Sequence, residues 1–214
     1  MVLRLLLNLL LPTYCAGCET RGAPVCAGCS KIWGSPTAVL RAPLATLAPA
    51  YALARYAGVA KRTLIAYKER RRRDVAPFLG RALAAGLLAL PSGGPRASPW
   101  CLVPAPSRRT ASRVRGGPHV QRIAWEAARL TGAYVAPALV LKGGQDAVGL
   151  SRAERVANLK GRLRFAEAGR PPPGTRVVVV DDVLTTGVTS AACVTALKNA
   201  GVPVVAVLAL LATV

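Results

Sequence analysis

The sequence predicts an α/β protein, a mostly parallel sheet with helices on both faces, carrying a small cysteine-rich module at its amino end. Three observations support this. Val177-Val178-Val179-Val180 is a β-branched run with no polar side, the pattern of a strand covered on both faces. Strand-like and helix-like stretches alternate from residue 100 onward, the order that builds parallel sheets through crossovers. Cys15-Ala16-Gly17-Cys18 and Cys26-Ala27-Gly28-Cys29 crowd four thiols into a short amino-terminal stretch.

A chain of 214 residues, 52% of them hydrophobic, is long enough for one domain with a real core and is too apolar for disorder. The 29 Lys and Arg against 9 Asp and Glu leave +20, a field that attracts nucleic acid, anionic lipid or phosphorylated substrates without choosing among them. A GC-rich coding bias toward Arg and Ala would produce the same excess.

Met1 to Leu11 is leucine-rich but short, interrupted by Asn8 and followed by no small-residue cleavage site, so it reads as a helix packing on its own domain and not as a signal peptide. The paired C-x-x-C units come next. Each forms a knuckle whose sulfurs face one ion, and together Cys15, Cys18, Cys26 and Cys29 complete the tetrahedron that Zn²⁺ prefers. With every position a thiolate, that metal would be structural. Disulfides would need an oxidising compartment that nothing in the sequence supports, so a cytoplasmic protein is expected. No apolar run reaches the ~18 residues that span a bilayer, which argues against stable membrane insertion. Cys101 and Cys193 lie in apolar text and read as small core residues. The expected division is 1–35 for the amino-terminal helix and zinc-ribbon-like module, and 36–214 for the α/β domain.

Ser35 to Pro49, rich in Pro and Ala, reads as a linker. Tyr51 to Tyr56 suits a strand, and Ala60 to Lys68 carries apolar residues at mixed spacing. The Arg70 to Arg73 run is either a solvated face or an extension of an anion-attracting surface. Val75 to Leu90 is an amphipathic helix with Phe78, Leu79, Leu83 and Leu87, closed by Pro91 and the glycines beyond it. A buried strand at 101–103 then leads into a loop bearing Arg108, Arg109, Arg113 and Arg115, whose guanidiniums suit the paired oxygens of a pyrophosphate.

His119, the single histidine, precedes a helix over Val120 to Leu130 and reads as a loop or capping residue without a catalytic role. A strand is expected at 138–141. Ser151 with Glu154 makes a capping box for a cationic segment containing Arg152, Arg155 and Lys160. Arg170-Pro171-Pro172-Pro173-Gly174 turns stiffly into the central strand at 177–181, and a last strand is expected at 203–211.

Asp181 and Asp182 stand where the central strand is expected to end. After them Val183, Leu184, Thr185, Thr186, Gly187, Val188, Thr189 and Ser190 lead into a helix over Ala191 to Ala200. A strand, a small hydroxyl-rich turn and a helix place backbone N–H groups and a positive dipole end at the sheet's carboxyl edge, which makes a phosphate cradle. The acids would repel phosphate, so they suit sugar hydroxyls or a cation. No G-x-G-x-x-G or G-x-x-x-x-G-K-[ST] occurs.

This stretch resembles the phosphoribosyl-pyrophosphate (PRPP) motif of type I phosphoribosyltransferases. Most of the chain resembles the ComF family, phosphoribosyltransferase-like proteins associated with competence and DNA uptake. The matching pieces are the four-cysteine module, Tyr67-Lys68 with Arg72-Arg73-Asp74, Val103-Pro104-Ala105-Pro106 with Arg108-Arg109, Gly149 to Arg155 with Asn158, and Val177 to Thr189. The resemblance implies a type I phosphoribosyltransferase-like fold, PRPP with Mg²⁺, Asp181 and Asp182 on the ribose, and the 183–189 loop with Arg108, Arg109 and Arg113 on the phosphates. It also implies single-stranded DNA and a DNA-uptake helicase as partners. Two functions stay open: transfer of ribose 5-phosphate to a nitrogen acceptor, or non-enzymatic DNA binding with the pocket used for regulation. The acceptor is not legible, nor is the oligomeric state. The family usually continues Arg115-Gly116 with Phe-Asn-Gln, where this chain has Gly117-Pro118-His119.

Overall fold

In a computed structural model, residues 13–91, 98–106, 118–141 and 162–213 are described. The expected amino-terminal helix, the arginine loop carrying Arg108, Arg109 and Arg113, and the capping box at Ser151 lie outside them. Along the chain run α1 (Ala27–Ser30), β1 (Thr37–Ala38), β2 (Ala50–Arg55), α2 (Gly58–Lys68), α3 (Ala76–Leu88), β3 (Trp100–Pro104), α4 (His119–Thr131), β4 (Tyr134–Val135), β5 (Leu139–Leu141), β6 (Leu163–Phe165), β7 (Arg176–Leu184), α5 (Val188–Asn199) and β8 (Val204–Ala212).

Six strands form the main sheet in the order β1-β2-β8-β7-β3-β4. All neighbours are parallel except β1, which runs antiparallel to β2 at one edge. The valine run explains the centre. Val177 and Val179 face one side and pack with Cys193, Val194 and Leu197 of α5, while Val178 and Val180 face the other with Leu64, Leu83 and Ile123 of α2, α3 and α4. Both layers are apolar, which is why the Val177 to Val180 part of β7 and all of β8 have no polar face to show.

Three expectations change. Residues 139–141 do not join the parallel sheet. The chain leaves it after Val135, because Pro137 has no N–H to continue a ladder, and β5 pairs instead with β6 in a separate antiparallel ribbon. Residues 35–49 are not a linker: Thr37 and Ala38 pair with Ala52 and Tyr51, and Leu44 is buried against the α5 layer. The central strand does not stop at Asp181. It runs on to Leu184 because Val183 and Leu184 find register partners in Leu211 and Ala212 of β8.

Candidate functional site

The carboxyl ends of β7, β3 and β8, the start of α5, the start of α4 and the end of α2 meet at one edge of the sheet. The link from β7 to α5 is only Thr185-Thr186-Gly187. Gly187 makes the link possible, since its φ of 78° lies in the left-handed region and a Cβ there would sit 2.9 Å from Arg41 Cβ. Helix α5 therefore begins at Val188, earlier than its run of alanines suggests. Its N-cap residue is Gly187, which offers no side chain, so the first N–H groups of the helix are left to water or a ligand. Thr185 and Thr189 are exposed, and Thr186 and Val188 are half-buried. Arg41 secures the loop from the side, its Nε–H donating to the carbonyl of Thr185 and its Nη2 to the carbonyl of Thr213.

Period-two geometry sends the adjacent acids to opposite faces of the sheet. Asp181 points into the α5 layer and is 8% exposed. Its Oδ2 accepts from Ser190 Oγ at 3.0 Å and its Oδ1 from the Asp182 N–H at 2.8 Å. Ser190 is thus turned inward and is not a donor to the loop. Burial, and then repulsion from Asp182, push Asp181 up to about 7.

Asp182 points to the other face, with its side chain 13% exposed. Lys68 Nζ at the end of α2 lies 2.6 Å from Oδ2, and His119 Nε2 at the start of α4 bonds the same oxygen. Burial works against its charge, but the His119 hydrogen bond and the Lys68 ammonium outweigh it and hold Asp182 down at about 2. Tyr67 Oη donates to the carbonyl of His119 at 3.0 Å, so consecutive residues of α2 grip both partners of this contact. Burial pushes Tyr67 up to about 12, which keeps its hydroxyl protonated as a donor.

Of the residues expected from sequence, the structure brings Asp181, Asp182 and the 183–189 loop to one edge. Val183 is half-buried and Leu184 is core, so these two contribute backbone and not side chains. Sequence reasoning missed Arg41, hidden in what read as a linker, and His119, a lone histidine far from the acids in the chain. Only the family resemblance had marked Tyr67-Lys68.

The four cysteines form a second candidate site. Their sulfurs all lie within 4.8 Å of one another, with Cys18 and Cys26 at 3.6 Å, and none is in a disulfide. Four thiolates at zinc bonding distance would stand about 3.8 Å apart, so the donor set fits a tetrahedral thiophilic ion such as Zn²⁺. Backbone N–H groups of Gly17 and Cys26 approach Cys15 Sγ at 3.4 and 3.3 Å. Burial opposes the Cys15 thiolate, yet the N–H groups of Cys26, Cys18 and Gly17 bring it down to about 6. Burial, with the other three sulfurs, pushes Cys29 up.

This cluster sits directly on α2. A Cβ at Gly17 would fall 2.5 Å from Val59 Cγ1, Arg62 Nε donates to the Gly17 carbonyl at 2.6 Å, and Arg72 Nη2 donates to the Tyr14 carbonyl at 2.7 Å. Among the described residues, no helix is long and apolar enough to cross a membrane. No protein-family model and no curated protein sequence matches the chain.

Proposed function

We propose that this chain is a phosphoribosyltransferase-like protein that binds PRPP with Mg²⁺ at the β7–α5 edge and transfers ribose 5-phosphate to a nitrogen acceptor. One observation carries the reading: a three-residue link with a left-handed glycine joins a parallel strand, with two acids near its carboxyl end, to an uncapped helix start. The helix start suits the 5′-phosphate and Asp182 suits the ribose hydroxyls, with Asp181 bracing the turn. Departure of pyrophosphate from the anomeric carbon builds positive charge on the sugar, and an ionised Asp182 beside it is the electrostatic complement. Mg²⁺ would neutralise the leaving pyrophosphate together with Arg108, Arg109 and Arg113. The cysteine cluster holds zinc in a structural role in this reading, its reduced thiols suit the cytoplasm, and a DNA-uptake helicase partner follows from the ComF resemblance.

Calorimetry with PRPP·Mg²⁺ tests it. Replacing both Asp181 and Asp182 by Asn should weaken binding by more than about tenfold, since each hydrogen bond to a charged group contributes about 1.5–3 kcal/mol and one decade is about 1.4 kcal/mol. Unchanged affinity in a folded double variant refutes the assignment.

A second reading, single-stranded DNA binding, is favoured by a groove of about 410 Å³ that Tyr14, Arg70 and Arg72 line beside the cysteine cluster. Tyr14 is 48% exposed and offers a stacking face next to guanidiniums on a chain of +20. Affinity for an oligonucleotide that stays flat across a salt titration would rule this reading out, because neutralised phosphates release counterions.

A further inference from the structure

The contact between His119 and Asp182 has a geometry that a capping histidine does not need. His119 is 8% exposed, its Nε2 meets Asp182 Oδ2, and its Nδ1 is buried with no hydrogen-bond partner among the described residues. A carboxylate facing Nε2 requires a proton on that nitrogen, so Nε2–H is the donor of this contact. The ring is clamped from behind by Tyr67, edge-on at 6.5 Å between centroids, whose hydroxyl also holds the His119 carbonyl. Since neither ring nitrogen is open to a ligand, the histidine acts through the acid that it touches.

The terminal torsion of an aspartate is broad and roughly two-fold, so an unrestrained carboxylate meets a ligand in many orientations. At Asp182 two donors from two helices, Lys68 Nζ and His119 Nε2, converge on a single oxygen and stop that rotation. Lys68 supplies the charge balance, and His119 supplies a directional N–H. We propose that His119 is a positioning residue, which fixes the Asp182 carboxylate in the orientation that accepts a sugar hydroxyl of the ligand. The inference rests on the PRPP reading of this edge.

Because His119 is the single histidine, its ring nitrogens are readable without assignment in the full-length ¹⁵N-labelled protein. The free protein should show a proton on Nε2, and adding PRPP·Mg²⁺ should move the Nε2 resonance as Asp182 takes up a hydroxyl. In calorimetry His119→Phe should weaken PRPP·Mg²⁺ binding by about tenfold, the loss of one hydrogen bond to a charged group. His119→Gln keeps an N–H donor near the same place and should recover affinity to within about threefold of wild type. An unprotonated Nε2 in the free protein, a ring signal that ignores the ligand, or equal binding by wild type and His119→Phe each overturns the proposal while leaving the PRPP reading in place. Absence of PRPP binding by wild type removes the PRPP reading itself, and the inference with it. Should His119→Phe fail to fold, the wild-type spectrum alone decides.

Discussion

Asp181 and Asp182 are neighbours in the chain and live in opposite worlds. On the α5 face Asp181 has a serine hydroxyl and a backbone N–H as hydrogen-bond partners, and burial, with repulsion from Asp182, outweighs the more distant pull of Lys68 and drives its carboxyl up to about 7. On the α2–α4 face Asp182 has an ammonium and an imidazole on one oxygen and stays ionised, held at about 2. Successive side chains of a strand point to opposite faces, so adjacency in sequence guarantees different surroundings here. The pair is one neutral-leaning brace and one fixed charge, and a site that must both hold a turn and greet a ligand uses each for a different task.

The two faces differ also in what supports them, and the largest expected effect separates them on that ground. The cysteine cluster leans on α2, whose last residue reaches Asp182, whereas nothing of the cluster touches α5 in the contacts above. Cys15→Ser, or chelation of the metal, should therefore open the α2 side and spare α5. We expect the capacity to hold zinc, proposed above, to be lost and the melting midpoint to fall by roughly 10 °C, the consequence of several kcal/mol at about 2–4 °C per kcal/mol. Hydrogen exchange should speed up in 58–68 and remain slow in 190–198. Equal loosening of both helices would break the distinction.

An intermediate effect comes from pH. Asp181 has a folded value above the ordinary carboxylate range, so its favourable contribution is whole below pH ~4 and is lost as pH rises through about 7. Asp182 has the opposite sign, and its contribution disappears only as pH falls from ~4 through about 2. Asp181→Asn should consequently gain on wild type between pH 5 and 8, by something on the order of 1–2 kcal/mol in denaturant titrations. Asp182→Asn should show no such gain there. If the two variants behave alike, the faces are not electrically distinct.

An effect of similar size tests the loop that the α5 face supports. Gly187→Ala forces a Cβ into the left-handed region and against Arg41, which should cost about 1–2 kcal/mol of stability. Arg41→Ala in the same background should not relieve the cost, because the crowding Cβ remains and the donors to the carbonyls of Thr185 and Thr213 are lost. A Gly187→Ala protein as stable as wild type would show that the turn does not need its glycine.

Much of this molecule was written locally. A buried strand can be read from Val177 to Val180 because four β-branched residues in a row leave no solvent face, and a tetrathiolate cluster from Cys15 to Cys29 because knuckle spacing is a property of a few adjacent residues. The strand with two acids near its carboxyl end, the small-residue turn and the helix after it are likewise contiguous. What the sequence could not state was which distant residues arrive at those acids. Lys68 and His119 meet on Asp182 only because α2 and α4 pack on the same face of β7, and Arg41 reaches Thr185 only because the stretch around it folds back along the sheet edge. Local spacing determines knuckles, turns and buried strands, since those are set by neighbours along the chain. Tertiary packing alone decided that one aspartate would be a brace and the next a charge, because the partners that make the difference come from other elements.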